Sequence, residues 1–173
     1  MNDITNLLFV LAPLLVAMGG AYLLVKKMFD RDYKMKVIET KRMLQKEVLP
    51  LRLQAFERMT LFLERISPES LLVRIMDANM TVRDLQQQLI ATVRSEYEHN
   101  ITQQIYIDPQ TWALIKNAKE DVLRLINSSA EECNRDDKAL ELSRKIFESM
   151  LREENVSMQK ALSYLKSEAQ QLF

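Results

Sequence analysis

The hydrophobic positions of this chain fall into two regimes. From Ile4 to Val25 they are almost continuous, with 22 residues and no charge. From Lys26 onward they recur every three or four residues between charged ones. A helix rises ~1.5 Å per residue, so the first regime is long enough to cover a hydrocarbon core of ~30 Å. It predicts a transmembrane anchor over residues 1–25, with Pro13, Gly19 and Gly20 inside it at positions that membrane helices tolerate. Ala17 and Ala21, with Gly20 beside them, give the small-residue spacing through which two such helices approach each other in a membrane. The only side-chain charge before the span is Asp3, and Lys26 and Lys27 follow it, which is the wrong arrangement for a cleaved signal peptide. Basic residues flank the span on its C-terminal side alone, so the amino terminus is expected outside and the C-terminal body in the cytoplasm.

The second regime predicts helices. Val37, Ile38, Met43, Leu44 and Val48 place a basic juxtamembrane helix over residues 26–50, ending in a break at Leu49-Pro50 because proline removes a donor and disfavours helix before it. The helical body then occupies residues 51–173. Ala55, Phe56, Met59, Phe62, Leu63 and Ile66 share one face of its first helix, opposite Glu57, Arg58, Glu64 and Arg65. Three junctions come next with one grammar, a capping residue between apolar residues that clasp across the turn: Ser67 between Ile66 and Leu71, Thr81 between Met80 and Leu85, Asp108 between Ile107 and Trp112. Pro68 and Pro109 stand at first helical positions, where a missing donor is harmless. Helices are therefore expected near 68–78, 82–106 and 109–131. Beyond a polar break at Asn134–Asp137 comes a helix with Leu140, Ser143, Phe147, Met150 and Leu151 on its face. A second break at Glu154–Ser157 precedes a last helix carrying Leu162, Leu165, Ala169 and Leu172. The fold class is all-α: one N-terminal transmembrane helix followed by a soluble bundle of about five or six helices.

Composition removes more than it adds. Both glycines of the chain, Gly19 and Gly20, lie in the first regime, so the body has none. Glycine-dependent phosphate loops, dinucleotide fingerprints and nucleophile elbows are excluded there, and the favoured hairpin turns with them. Lys and Arg balance Asp and Glu at 24 each, yet residues 26–46 hold eight basic side chains against three acidic ones. Lys26, Lys27, Arg31 and Lys34 are thus candidates for contact with anionic membrane lipids, worth ~1 kcal/mol per charge near the headgroups, although an orientation signal explains them equally well.

Candidate chemistry is sparse. Glu96-Tyr97-Glu98-His99 has the Glu-x-x-His spacing of di-iron sites, but those need the motif twice and His99 is the chain's one histidine. Its expected role is pairing with a neighbouring carboxylate on a helix face. Cys133 is equally alone, which rules out an internal disulfide and a Cys/His zinc site, and it reads as a small buried or half-buried residue. Asp136-Asp137 and Glu153-Glu154 read as solvated caps, and Trp112 as a staple. Nucleic-acid binding is not expected, because the basic run lacks interleaved aromatics suited to stacking. No cofactor, metal or catalytic residue is expected. Four Asn-x-Ser/Thr triplets, at Asn79, Asn100, Asn127 and Asn155, remain bare in a cytoplasmic body.

At LRLQAFERMTLFLERISPESLLVRI, with EYEHNITQQIYI and W..IKNAKE after it, the chain resembles an uncharacterised bacterial family of short, single-pass, membrane-anchored helical proteins. The resemblance covers most of the chain. It implies a bacterial inner-membrane setting, and the family has no assigned reaction to carry over. The function expected is a membrane-anchored scaffold or adaptor that binds protein partners through its helical body, with self-association of the chain. The alternative is an accessory subunit of an inner-membrane transport or secretion complex, held through its transmembrane helix. Neither is an enzyme.

Overall fold

The computed structural model describes the backbone of residues 2–152 and 156–172; side chains of α1 are described at 18, 20–40, 42, 43 and from 45 onward. The described chain is all-helical, with 88% of it in helix and about six helices. They are α1 (Asn2–Ile66), α2 (Pro68–Ile75), α3 (Val82–Asn100), a 3₁₀ segment (Ile101–Tyr106), α4 (Pro109–Glu131), α5 (Ala139–Arg152) and α6 (Val156–Gln170). By internal contacts the chain divides into residues 1–48 and residues 49–173.

Two expectations for α1 are overturned. Among the described residues no helix is long and apolar enough to cross a membrane, so the single-pass architecture over residues 1–25 is corrected to an all-helical one without a described span. The apolar stretch is no separate element: it opens α1, which continues without a boundary through Lys26, Lys27, Asp30, Arg31 and Asp32. The side chains of Ile4 to Ala17 lie outside the described residues. The second correction concerns Pro50, where the backbone stays helical. A proline inside a helix removes one hydrogen bond, and burial of Ala55, Phe56 and Met59 in the next turns outweighs that loss.

Residues 49–173 form a bundle around one core. Ala55, Met59, Phe62, Leu63 and Ile66 of α1 are at most 1% exposed. With them are buried Leu71 and Leu72 of α2, Leu85, Leu89 and Val93 of α3, and Trp112, Ile115, Ala118, Val122 and Ile126 of α4. Helix α4 packs against α3, α5 and α6, and α3 also touches α2 and α5. Two ion pairs bind the end of α1 into this bundle. Arg52 Nη2 donates to Glu168 Oε1 of α6 at 3.0 Å, and the same oxygen accepts the Asp108 backbone N–H at 2.9 Å. Arg65 Nε donates to Glu96 Oε1 of α3 at 2.8 Å.

The three predicted capping residues each cap a helix. Ser67 Oγ accepts from Ser70 N, Asp108 Oδ1 from Gln110 N at 2.8 Å, and Pro68 and Pro109 each open a helix. Thr81 and Asp84 form a reciprocal capping box, with Asp84 N donating to Thr81 Oγ1 at 3.2 Å and Thr81 N to Asp84 Oδ2 at 3.1 Å. The loops that enter α3 and α5 are tied together: Val82 N donates to Asp137 O and Ala139 N to Met80 O, both at 2.9 Å. An isolated bridge between Thr81 and Lys138 results, with no strand among the described residues.

Two details differ from expectation. The helix expected over 82–106 turns to 3₁₀ after Asn100, whose buried side chain donates to the Glu96 carbonyl at 2.8 Å and competes with the regular ladder. Ile105 is consequently 73% exposed. On α5 the buried row is Ala139, Leu142, Ser143 and Ile146, whereas Leu140, Phe147 and Leu151 face outward. Of the expected break at Glu154–Ser157, Glu154 and Asn155 lie outside the described residues, and Val156 and Ser157 are already helical.

Phe62 is 1% exposed and lies 6.0 Å from the Tyr97 ring. Phe62→Ala is expected to lower the unfolding free energy by about 3–5 kcal/mol through lost burial and a residual cavity. Chemical denaturation monitored by Trp112 fluorescence measures it, and a loss below ~1 kcal/mol would contradict the packing described.

Candidate interaction surface

Large apolar side chains stand exposed around α1, Leu23, Leu24, Met28 and Met43 among them, and two helix faces carry ordered rows of them. On α1, every side chain described between Met18 and Val48 is exposed. Tyr22 is 66% exposed, Phe29 71% and Tyr33 73%, with Val37 and Val48 also open. These positions share an eleven-residue period along the helix: Tyr22 with Tyr33, Phe29 with Thr40, and Val37 with Val48, the last pair in line with Lys26. Eleven residues make three turns at ~3.67 residues per turn, so the positions stay on one stripe with little drift. Thr40 is the polar member, and its hydroxyl donates back to the Lys36 carbonyl at 2.9 Å.

The second face lies on α5. Leu140 (62% exposed), Phe147 (41%) and Leu151 (89%) stand at i, i+7 and i+11, one above another on the helix. Arg144 sits within the same row and is held by Glu141 at 2.8 Å and Glu148 at 3.9 Å. It stands between Leu140 and Phe147 along the row, at i+4 from the one and i−3 from the other. The row lies roughly 100° around the helix from the buried face, at 3.6 residues per turn.

The structure brings none of the polar candidates into a chemical site. Lys26, Lys27, Arg31 and Lys34 are all exposed, and among the described residues none forms an ion pair. Gly20 has nothing within 4 Å of where a Cβ would stand, Ala21 is exposed, and the side chain of Ala17 lies outside the described residues. Glu96 is engaged by Arg65 at 2.7 Å and Arg74 at 3.9 Å. His99 is exposed without an ion pair among the described residues, so its expected carboxylate partner is corrected: Glu96 has turned to the arginines. Among the described residues no group of His, Cys, Asp and Glu is arranged to hold a metal ion. Trp112 is buried and stacks on Tyr97 at 5.9 Å between centroids, and Lys119 Nζ stands 4.3 Å over the other ring of that pair, Tyr97. A groove of about 540 Å³ beside Arg124, Ser128, Glu132 and Arg152 offers no free charge at two of its corners, since Arg124 pairs with Asp121 and Glu132 with Lys145.

The profile of a family described as "Family of unknown function (DUF7935)" matches residues 2–172. The chain belongs to the DUF7935 family. No curated protein and no solved structure matches it. The family match covers both exposed faces and both ion pairs of α1, so the DUF7935 unit comprises α1 together with the bundle.

Two titrating groups test this description of the DUF7935 bundle. Burial pushes the Cys133 thiol above its ordinary value, and Sγ donates to the Ser129 carbonyl at 3.4 Å. Less thiolate at neutral pH means slow alkylation. Iodoacetamide labelling is expected to be several-fold slower than for a free thiol and to reach the free rate on unfolding. Equal rates in both states would refute the burial. The hydrogen bond and charge of Lys145 hold the Glu132 carboxyl below its ordinary range, and Glu132 in turn raises Lys145. A lowered carboxylate stabilises the fold above its unfolded pKa, and that contribution disappears as pH falls through the folded one. A raised lysine contributes until pH climbs through its folded value. The Tm difference between wild type and Glu132→Gln is therefore expected to be small, greatest near neutral pH, and to close on acidification below the carboxylate range. A difference that widens on acidification would reverse the assignment.

Proposed function

We propose that this protein is a non-enzymatic helical scaffold whose body binds a partner protein through the outward row of α5. The observation that carries this reading is the row Leu140, Phe147 and Leu151, large apolar side chains left open on a well-packed bundle and flanked by satisfied charges. An amphipathic partner helix presents matching anchors at i, i+4 and i+7, the usual mode of helix docking on an apolar face. Burying one such side chain removes enough apolar surface to stabilise a complex by ~1.5–3 kcal/mol before ordering costs. The accessory-subunit alternative, which places binding in a transmembrane helix, has no described helix to rest on.

A second reading is supported by the exposed basic side chains of α1. Lys27, Arg31 and Lys34 lie on the side of the helix away from its aromatic stripe, free to face an anionic lipid headgroup layer, with Lys26 at the stripe's edge. Salt-sensitive flotation with anionic vesicles, lost on changing all four to Gln, tests it.

For the scaffold reading, a photo-crosslinking amino acid replaces Leu151 in the full chain in cells. One partner adduct is expected, and Leu140→Asp with Phe147→Asp should abolish it. Both side chains lie outside the buried core, so the doubly substituted chain should remain folded, with cooperative thermal unfolding as the check. An absent adduct, or one indifferent to the double substitution, overturns the reading.

A further inference from the structure

The stripe on α1 is its own complement when two copies run in opposite directions. With a two-fold axis near Met35, Tyr22 of one copy lies level with Val48 of the other and Tyr33 with Val37, and Phe29 stands within one residue of the level of Thr40. Every aromatic ring then meets a small β-branched side chain, the alternation of large and small that close packing requires. Run in parallel, the same stripe would set ring against ring at three levels and leave gaps at Val37, Thr40 and Val48. Charge agrees with size. In antiparallel pairs the same flank of each helix meets, which places Asp32 beside the other copy's Lys36 and Lys36 beside its Asp32. Within the chain neither side chain forms an ion pair among the described residues, and both are exposed.

The available surface is also of the right size. Tyr22, Phe29 and Tyr33 are each about two-thirds or more exposed, and aromatic side chains bury ~150–250 Å² when covered. The three rings alone therefore supply roughly 300–500 Å² per copy, against ~800 Å² per partner in a standard interface. Val37, Val48 and the Thr40 methyl, spread with the rings over ~39 Å of helix, extend it toward that value. Thr40 fits an apolar seam because its hydroxyl is already satisfied by the Lys36 carbonyl.

We propose that α1 is an antiparallel self-association helix, its occupant a second copy of this chain seated on the Tyr22–Val48 stripe. This uses a different surface from the α5 row, so either can fail without the other. The eleven-residue period gives the pair a straight to slightly right-handed course.

The test uses the full chain with Cys133→Ser, carrying Tyr33→Cys or Val37→Cys, oxidised singly and as a mixture. The mixture is expected to form disulfide-linked dimer about tenfold faster than either variant alone. Asp32→Lys should weaken the dimer roughly tenfold in sedimentation equilibrium by setting lysine against lysine at two places, and adding Lys36→Asp should restore it. Helical content by circular dichroism confirms that each variant is folded. A chain that sediments as a monomer at micromolar concentration overturns the proposal. So does efficient self-linking of each single variant without preference for the mixture, which is the parallel outcome, and so does a double charge swap that fails to restore association.

Discussion

The bundle depends on the burial of the last three turns of α1. Ala55, Met59, Phe62, Leu63 and Ile66 are essentially inaccessible, and they belong to the one hydrophobic core that they share with buried residues of α2 to α6. The apolar face sets how α1 is turned, and directional polar contacts are needed to tie its two ends to particular groups. Two arginines do that. Arg52 reaches Glu168 and the Tyr106 carbonyl, and Arg65 reaches Glu96, so the buried face is pinned at both ends to groups on other helices. Glu168 is mostly buried, and the same oxygen that meets Arg52 also accepts the N–H that starts α4. One carboxylate thus holds α1, α6 and the cap of α4 in register.

A body without glycine constrains how these helices can be connected. No described residue has a positive φ, so no described helix ends in the left-handed turn that glycine normally supplies. Starts carry the specificity instead. Ser67, Thr81 and Asp108 each take a backbone N–H at the head of a helix, and two prolines set the first turn. Where a loop needs support beyond a cap, it takes it from another loop: Met80 and Val82 bond to the segment 137–139. Those hydrogen bonds join the entry of α3 to the entry of α5, and α3 and α5 pack together below them.

The same physics decides which features are legible in the sequence. Caps are local, their signals lie within four residues, and all three are readable at the right positions. The face of the buried part of α1 is readable because its neighbours in sequence are strongly charged. On α5 the apolar residues outnumber those the core can take, and Leu140, Phe147 and Leu151 look as suitable as Ala139, Leu142 and Ile146. Only the positions of α3 and α4 decide between them, and those are not local. The turn to 3₁₀ after Asn100 depends on one side chain reaching back to Glu96, a contact that period and composition do not announce. Pro50 misleads because it is an isolated signal, whereas the turns beyond it are held helical by the burial of Ala55, Phe56 and Met59. The α1 stripe is hard to see in the sequence because its period is eleven, not seven, and its members are spaced by polar Thr40 and by Lys26.

The two open faces differ in a way that bears on what each can hold. The row on α5 is short, nearly straight and bordered by charges that are already paired among themselves, so a partner there gains apolar contact and little electrostatic selectivity. The stripe on α1 is long, graded from aromatic rings at one end to β-branched residues at the other, and bordered by charges that find no partner among the described residues. A graded stripe discriminates direction, because only a reversed copy of the same gradient matches large to small at every level. Unpaired flanking charges discriminate register, because sliding by one turn moves Asp32 from lysine to a neighbour of its own sign or of none. Specificity of this kind comes from what mismatched alternatives lose as much as from what the matched pair gains. The α1 stripe is therefore distinguished by the order of its side chains rather than by their hydrophobicity, which any covering surface would satisfy.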